Sequence, residues 1–91
     1  MASHLLEFYG AECDHCEHMH SLVDTLRQKE GLEIETLEVW HNQANEKIFD
    51  KYDAECKCGG IPFFYNTKTK KFICGEASYE ELLAWAHSNK A

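Results

Sequence analysis

Ninety-one residues are enough for one domain with a core of its own, expected to span residues 1–91. Nine Lys and Arg against sixteen Asp and Glu leave a net charge of −7, which argues against nucleic-acid and anionic-membrane partners. No apolar run approaches a membrane span, and the start M-A-S-H has no basic stretch followed by an apolar leader, so the reading is a cytoplasmic protein.

Residues 4–9 read as a strand. Leu5, Leu6, Phe8 and Tyr9 are apolar on both faces, as in the centre of a sheet covered by helices. Glu7 sits inside that run, where a carboxylate is costly unless paired, hydrogen-bonded or neutral. Gly10 breaks the strand, and Cys13 and Cys16 follow with two residues between them. From Asp14 to about Lys29, Met19, Leu22, Val23 and Leu26 fall at i, i+3, i+4 and i+7, the stripe of an amphipathic helix that Gly31 ends.

Residues 32–40 read as a second strand, with Glu33, Glu35 and Glu38 as its solvated face. Asn42 is an N-cap for a helix to about Ala54, with Ala44, Ile48, Phe49 and Tyr52 as its buried side. Cys56-Lys57-Cys58-Gly59-Gly60 is a loop by its glycines. Ile61-Pro62 then opens a strand at Phe63-Phe64-Tyr65. Asn66 to Thr69 form a turn, and residues 70–74 return as a hairpin. Ser78 and Glu81 form the capping box of a last helix, with Tyr79, Leu82, Leu83 and Ala86 inward. Trp40 and Trp85 read as core or rim.

The order is β-α-β-α-β-β-α. A C-x-x-C between the first strand and the first helix reads as a redox dithiol, against the plainer reading of a disulfide or inert thiols. There are five cysteines, an odd count that fits poorly with a fixed disulfide framework. Cys74 reads as a small buried hydrophobe. Cys56 and Cys58 admit a second dithiol, a relay, metal ligands, or no role. His18 and His20, at i and i+2, do not share a helix face and read as solvated.

The stretch L-E-F-Y-G-A-E-C-D-H-C, together with G-I-P at the third strand, resembles the thioredoxin-like superfamily. The active-site segment is most similar to that of protein disulfide isomerases. By element order the resemblance covers nearly the whole chain. By motif it covers residues 6–16 and 59–64. It implies a minimal thioredoxin-like α/β fold, a four-stranded mixed sheet in the order 2-1-3-4. The first and third helices lie on one face and the second on the other.

It also implies roles. Cys13 matches the attacking thiol and Cys16 the resolving thiol of a redox-active disulfide. Glu7 matches the buried acid beneath the second cysteine, and would take its proton through a water. Pro62 matches the cis-proline facing the disulfide, with Ile61 offering its backbone to an extended substrate. His15, between the cysteines, adds positive charge when protonated. Three departures stand out: Glu12 where the family has tryptophan, Ser21 where a helix-kinking proline is common, and the extra pair Cys56 and Cys58.

The expected function is a small thiol–disulfide oxidoreductase of cell redox homeostasis. It is expected to be a monomer without a cofactor, exchanging disulfides with a protein or small-thiol substrate and recycled by a reductase or a thiol. A helix N-terminus favours the Cys13 thiolate, whereas Asp14 and Glu12 oppose it. Two other readings stay open. One is a zinc, copper(I) or iron–sulfur protein of the same fold, using Cys13, Cys16, Cys56 and Cys58. The other is a non-catalytic adaptor, with Glu12 as its best support.

Overall fold

The first helix forms where its caps and stripe place it. A computed structural model of the chain describes residues 4–87; residues 1–3 and 88–91 of the expected domain lie outside the described residues. Helix α1, Asp14–Glu30, buries Cys16, Met19, Val23 and Leu26. Gly31 ends it in the left-handed region at φ 63°, and its N–H returns to the Arg27 carbonyl. Before it runs β1, Leu5–Tyr9, and after it β2, Glu35–Glu38.

Helix α2 spans Gln43–Cys56, capped by Asn42, whose side chain accepts the Asn45 N–H at 3.1 Å. It runs on past Ala54, so Cys56 ends a helix rather than starting a loop. Strands β3, Phe63–Asn66, and β4, Phe72–Cys74, form the hairpin. Helix α3, Tyr79–His87, opens on the expected capping box. Glu81 N–H reaches Ser78 Oγ at 3.2 Å, and Ser78 N–H reaches the Glu81 carboxylate at 3.0 Å.

The four strands lie in the order β2-β1-β3-β4. β1 and β2 are parallel, and the other pairs are antiparallel. Leu5 packs with Met19, Val23, Leu26, Phe64, Leu82 and Trp85, which puts α1 and α3 on one face. Leu6, Phe8, Phe63 and Tyr65 face the other way, toward Phe49 and Tyr52 of α2. Alternation along β1 therefore turns Glu7 to the α1 side, opposite Phe64 of β3 and Thr36 of β2.

Several expectations are corrected. The second strand is shorter than residues 32–40, and Trp40 lies beyond it, exposed. In α2 the residues that meet the core are Phe49, Tyr52 and Cys56; Ala44 and Ile48 are exposed. Asn66 is not a turn residue but a fully buried end of β3. Its amide donates to the Trp85 carbonyl at 3.2 Å, and its Oδ1 accepts the N–H groups of Lys68 and Thr69. Lys70 takes a left-handed conformation at φ 64°, so the return strand starts only at Phe72.

Candidate functional site

The sheet gathers four segments at one end. Phe8 is paired with Phe63, so the chain leaving β1 toward Cys13 and the chain entering β3 from Pro62 lie side by side. Phe63 is also paired with Cys74, and the Gly75 N–H donates to the Pro62 carbonyl at 2.8 Å. Tyr9 lies beside Glu38 at the end of β2, bringing in Trp40 and His41. The end that receives these segments is the carboxyl end of the parallel pair, the usual place for a site in an open α/β sheet.

Cys13 is the N-cap of α1, and its sulfur accepts the Cys16 N–H at 3.1 Å. The two cysteines form a disulfide, with Cα atoms 5.2 Å apart. Cys16 is fully buried, while Cys13 keeps 8% exposure, so Cys13 is the sulfur that solvent can reach. The Ile61–Pro62 peptide bond is cis. Pro62 is fully buried, and Ile61 is half-buried against the α2-side cluster.

A polar scaffold holds the loop before Cys13. Glu38 accepts N–H groups from His41 at 2.8 Å, Ala11 at 3.0 Å and Trp40 at 3.2 Å. Desolvation pushes its carboxyl up, but these three backbone donors outweigh it and hold the group below the usual carboxylate range. Glu38 is thus not part of a solvated strand face; it ties the Cys13 loop to the end of β2. Trp40 lies across Gly10, where a Cβ would come within 2.3 Å of its ring. Glu12, next to Cys13 in the chain, is met by His41 Nε2 at 2.9 Å, and that hydrogen bond raises the His41 pKa.

His15 projects from the first turn of α1, and its Nδ1 hydrogen-bonds Glu76, which also lies 3.5 Å from His18 Nδ1. The hydrogen bond to His15 holds the Glu76 carboxyl below its usual value. Sequence reading passed over Glu76, because it is two residues past β4 and only the hairpin brings it to the cysteines.

Beneath the helix lies Glu7, wholly buried. Neither of its oxygens has a hydrogen-bond partner among the described residues. Desolvation raises its pKa to about 7, against a lowering pull from Arg27. His20 Nε2 is 3.2 Å from Glu7 Oε2, close enough to pair but not aligned for a hydrogen bond. Its ring also packs edge-on against Tyr9, with centroids 4.9 Å apart. His20 is therefore not a solvated histidine. The missed signal was its spacing of i+4 from Cys16, which puts both on the face of α1 turned to β1.

The remaining cysteines pair differently from the sequence reading. Cys58 and Cys74 form a second disulfide, with Cα atoms 5.5 Å apart. Cys74, exposed, is not a buried hydrophobe. Cys56 is a free, half-buried thiol whose pKa is raised by desolvation, then by Glu55 and Asp53. Cys58 is thus engaged by Cys74 rather than joined to Cys56 and the first pair in a four-thiolate set. Among the described residues no group of three or more His, Cys, Asp or Glu is arranged to hold a metal ion. Nor is any helix there long and apolar enough to cross a membrane.

No protein-family model and no curated protein matches the chain. Among solved structures it is similar to a glutaredoxin from Archaeoglobus fulgidus. The TM-score is 0.69 at 16% identity, over 93% of this chain and 87% of that one. The likeness is one of fold: this chain has a thioredoxin-like α/β fold, a mixed four-stranded sheet in the order 2-1-3-4 with three helices.

Proposed function

We propose that the chain is a small thiol–disulfide oxidoreductase working through Cys13 and Cys16. The observation that carries this is the Cys13–Cys16 disulfide at the tip of α1, with the more exposed sulfur capping the helix. When that bond opens, the Cys16 N–H and the helix dipole favour a Cys13 thiolate. The His15–Glu76 pair adds a fixed imidazole beside it, and His41 offsets the charge of Glu12.

The cycle runs as thiol–disulfide exchange. Cys13 thiolate attacks a sulfur of the substrate disulfide, forming a mixed disulfide and expelling one substrate thiolate. Cys16, losing its proton to Glu7, attacks Cys13 Sγ and releases the second substrate thiol. Ile61 and Pro62 border the same end of the sheet, where the Ile61 backbone can pair with an extended substrate. A small thiol or a reductase then reopens Cys13–Cys16. The substrates are protein disulfides or small-thiol mixed disulfides, a class that the glutaredoxin-like fold accommodates.

The test is turnover of a model protein disulfide in the presence of a small dithiol. Native protein is expected to accelerate the exchange, Cys13→Ser to abolish it, and Cys16→Ser to accumulate a mixed disulfide on Cys13. Equal activity in Cys13→Ser would overturn the proposal.

A further inference from the structure

The proton taken by Glu7 has to leave a fully buried carboxyl, and the structure offers one route. Glu7 on β1 lies between Phe64 of β3, fully buried, and Thr36 of β2. On the α1 side lies a cavity of about 170 Å³, lined by Glu7, Tyr9, His20, Asp24, Arg27 and Thr36 among others. A space of that size admits several waters. His20 stands at its wall, with Nε2 3.2 Å from Glu7 Oε2 and its side chain 37% exposed.

We propose that His20 is the proton shuttle between Glu7 and solvent, a second acid–base residue serving the Cys16 sulfur. The inference rests on the oxidoreductase reading and extends its Glu7 step. Cys16 and His20 are one turn apart on α1, on the face turned to the sheet, and the imidazole of that face reaches Glu7. Desolvation lowers the His20 pKa, which favours the neutral imidazole, the form that can take a proton from Glu7. The charged and titratable groups around the pair are Glu17, Asp24 and Arg27 from α1 and Tyr9 from β1; β2 adds only the neutral Thr36. Asp24 and Glu17 favour the imidazolium and Arg27 opposes it, which leaves His20 able to cycle.

The step is clearest in the reductive direction. A small thiolate such as glutathione attacks Cys13 Sγ. The Cys13–Cys16 bond breaks, and Cys16 Sγ leaves with the electron pair. It takes a proton from the Glu7 carboxyl; the His20 imidazole then takes a proton from solvent and passes it to Glu7. The products are a glutathione–Cys13 mixed disulfide and a Cys16 thiol.

The experiment follows glutathione opening of Cys13–Cys16 in fully oxidised protein by acid quench, alkylation and peptide mass spectrometry, which separates it from Cys58–Cys74. Native, H20Q, H20A and E7Q proteins are compared across neutral pH. H20Q is expected to slow the opening about tenfold and to flatten its pH profile. H20A is expected to regain most of the rate with added imidazole, which needs a folded protein and so excludes a merely structural loss. E7Q is expected to be slow with or without imidazole. An H20Q rate within about twofold of native, or no imidazole rescue of H20A, would overturn the shuttle while a slow E7Q kept the Glu7 step. A native rate in E7Q would instead overturn the Glu7 step and, with it, the shuttle.

Discussion

Cys74 is bonded to Cys58, and two residues beyond it Glu76 holds His15 of the C-x-x-C. The second disulfide thus fastens the proline loop to the strand that delivers a carboxylate to the first. It closes a loop of 16 residues in sequence separation, for which chain entropy alone gives about 3 kcal/mol. Cys58→Ala/Cys74→Ala is therefore expected to lose about that much stability in urea unfolding, with Cys13–Cys16 still able to form. A loss under about 1 kcal/mol would show that the hairpin and the Pro62–Gly75 hydrogen bond already hold the loop.

Glu7 sets the pH dependence of stability. Desolvation pushes its folded pKa up to about 7, above the 4.5 of an unburied glutamate, so the folded state binds the extra proton between those values. Stability from this group is then present at acid pH and falls as pH rises through about 7, by roughly 3 kcal/mol in all. Glu7→Gln is expected to remove that slope and to be more stable than the native protein at about pH 8. Urea titrations at several pH values check it; parallel native and variant curves would contradict it.

The His15–Glu76 pair is exposed on both sides, so its stability contribution is small. Glu76→Gln is expected to change unfolding free energy by less than about 1 kcal/mol. Its effect belongs to the site: Glu76 fixes the imidazole beside the C-x-x-C, and without it the Cys13 thiolate is expected to be less favoured. Thiolate absorbance against pH in the reduced protein measures this. An unchanged titration would confine the pair to the surface.

Gly10 and Trp40 make the last test. A methyl at Gly10 meets the Trp40 ring at 2.3 Å, and because the indole is 51% exposed it is the partner that can yield. Gly10→Ala is expected to displace the ring into water, with a change in tryptophan fluorescence and a cost of about 1–3 kcal/mol. In a Trp40→Ala background the same substitution is expected to cost little, and a full cost there would locate the strain in the backbone instead.

What the sequence made legible is whatever local periodicity and capping specify. The stripe Met19, Leu22, Val23, Leu26, the αL glycine at 31, the Asn42 cap and the Ser78–Glu81 box all appear where their spacing puts them. The Cys13–Cys16 pair was legible for the same reason, since both residues lie within one turn of one helix end. The rest depends on distances across the sheet. Cys58 finds Cys74 only through the β3–β4 register, and Glu76 reaches His15 only because that register ends beside Pro62. Glu38 looked solvated by strand alternation, yet it sits at the strand's end, where free N–H groups from two loops converge on it. Spacing along α1 relates His20 to His18, but its partner Glu7 lies on β1.

The reduction potential of Cys13–Cys16 decides whether the pair is a redox centre. Oxidised and reduced protein would be equilibrated in glutathione buffers and the two disulfides resolved by alkylation and peptide mass. A redox-active Cys13–Cys16 pair is expected to fall in the redox-protein range, between about −270 and −120 mV. A potential below about −300 mV, the range of structural disulfides, would contradict it and leave Cys13–Cys16 a staple at the tip of α1.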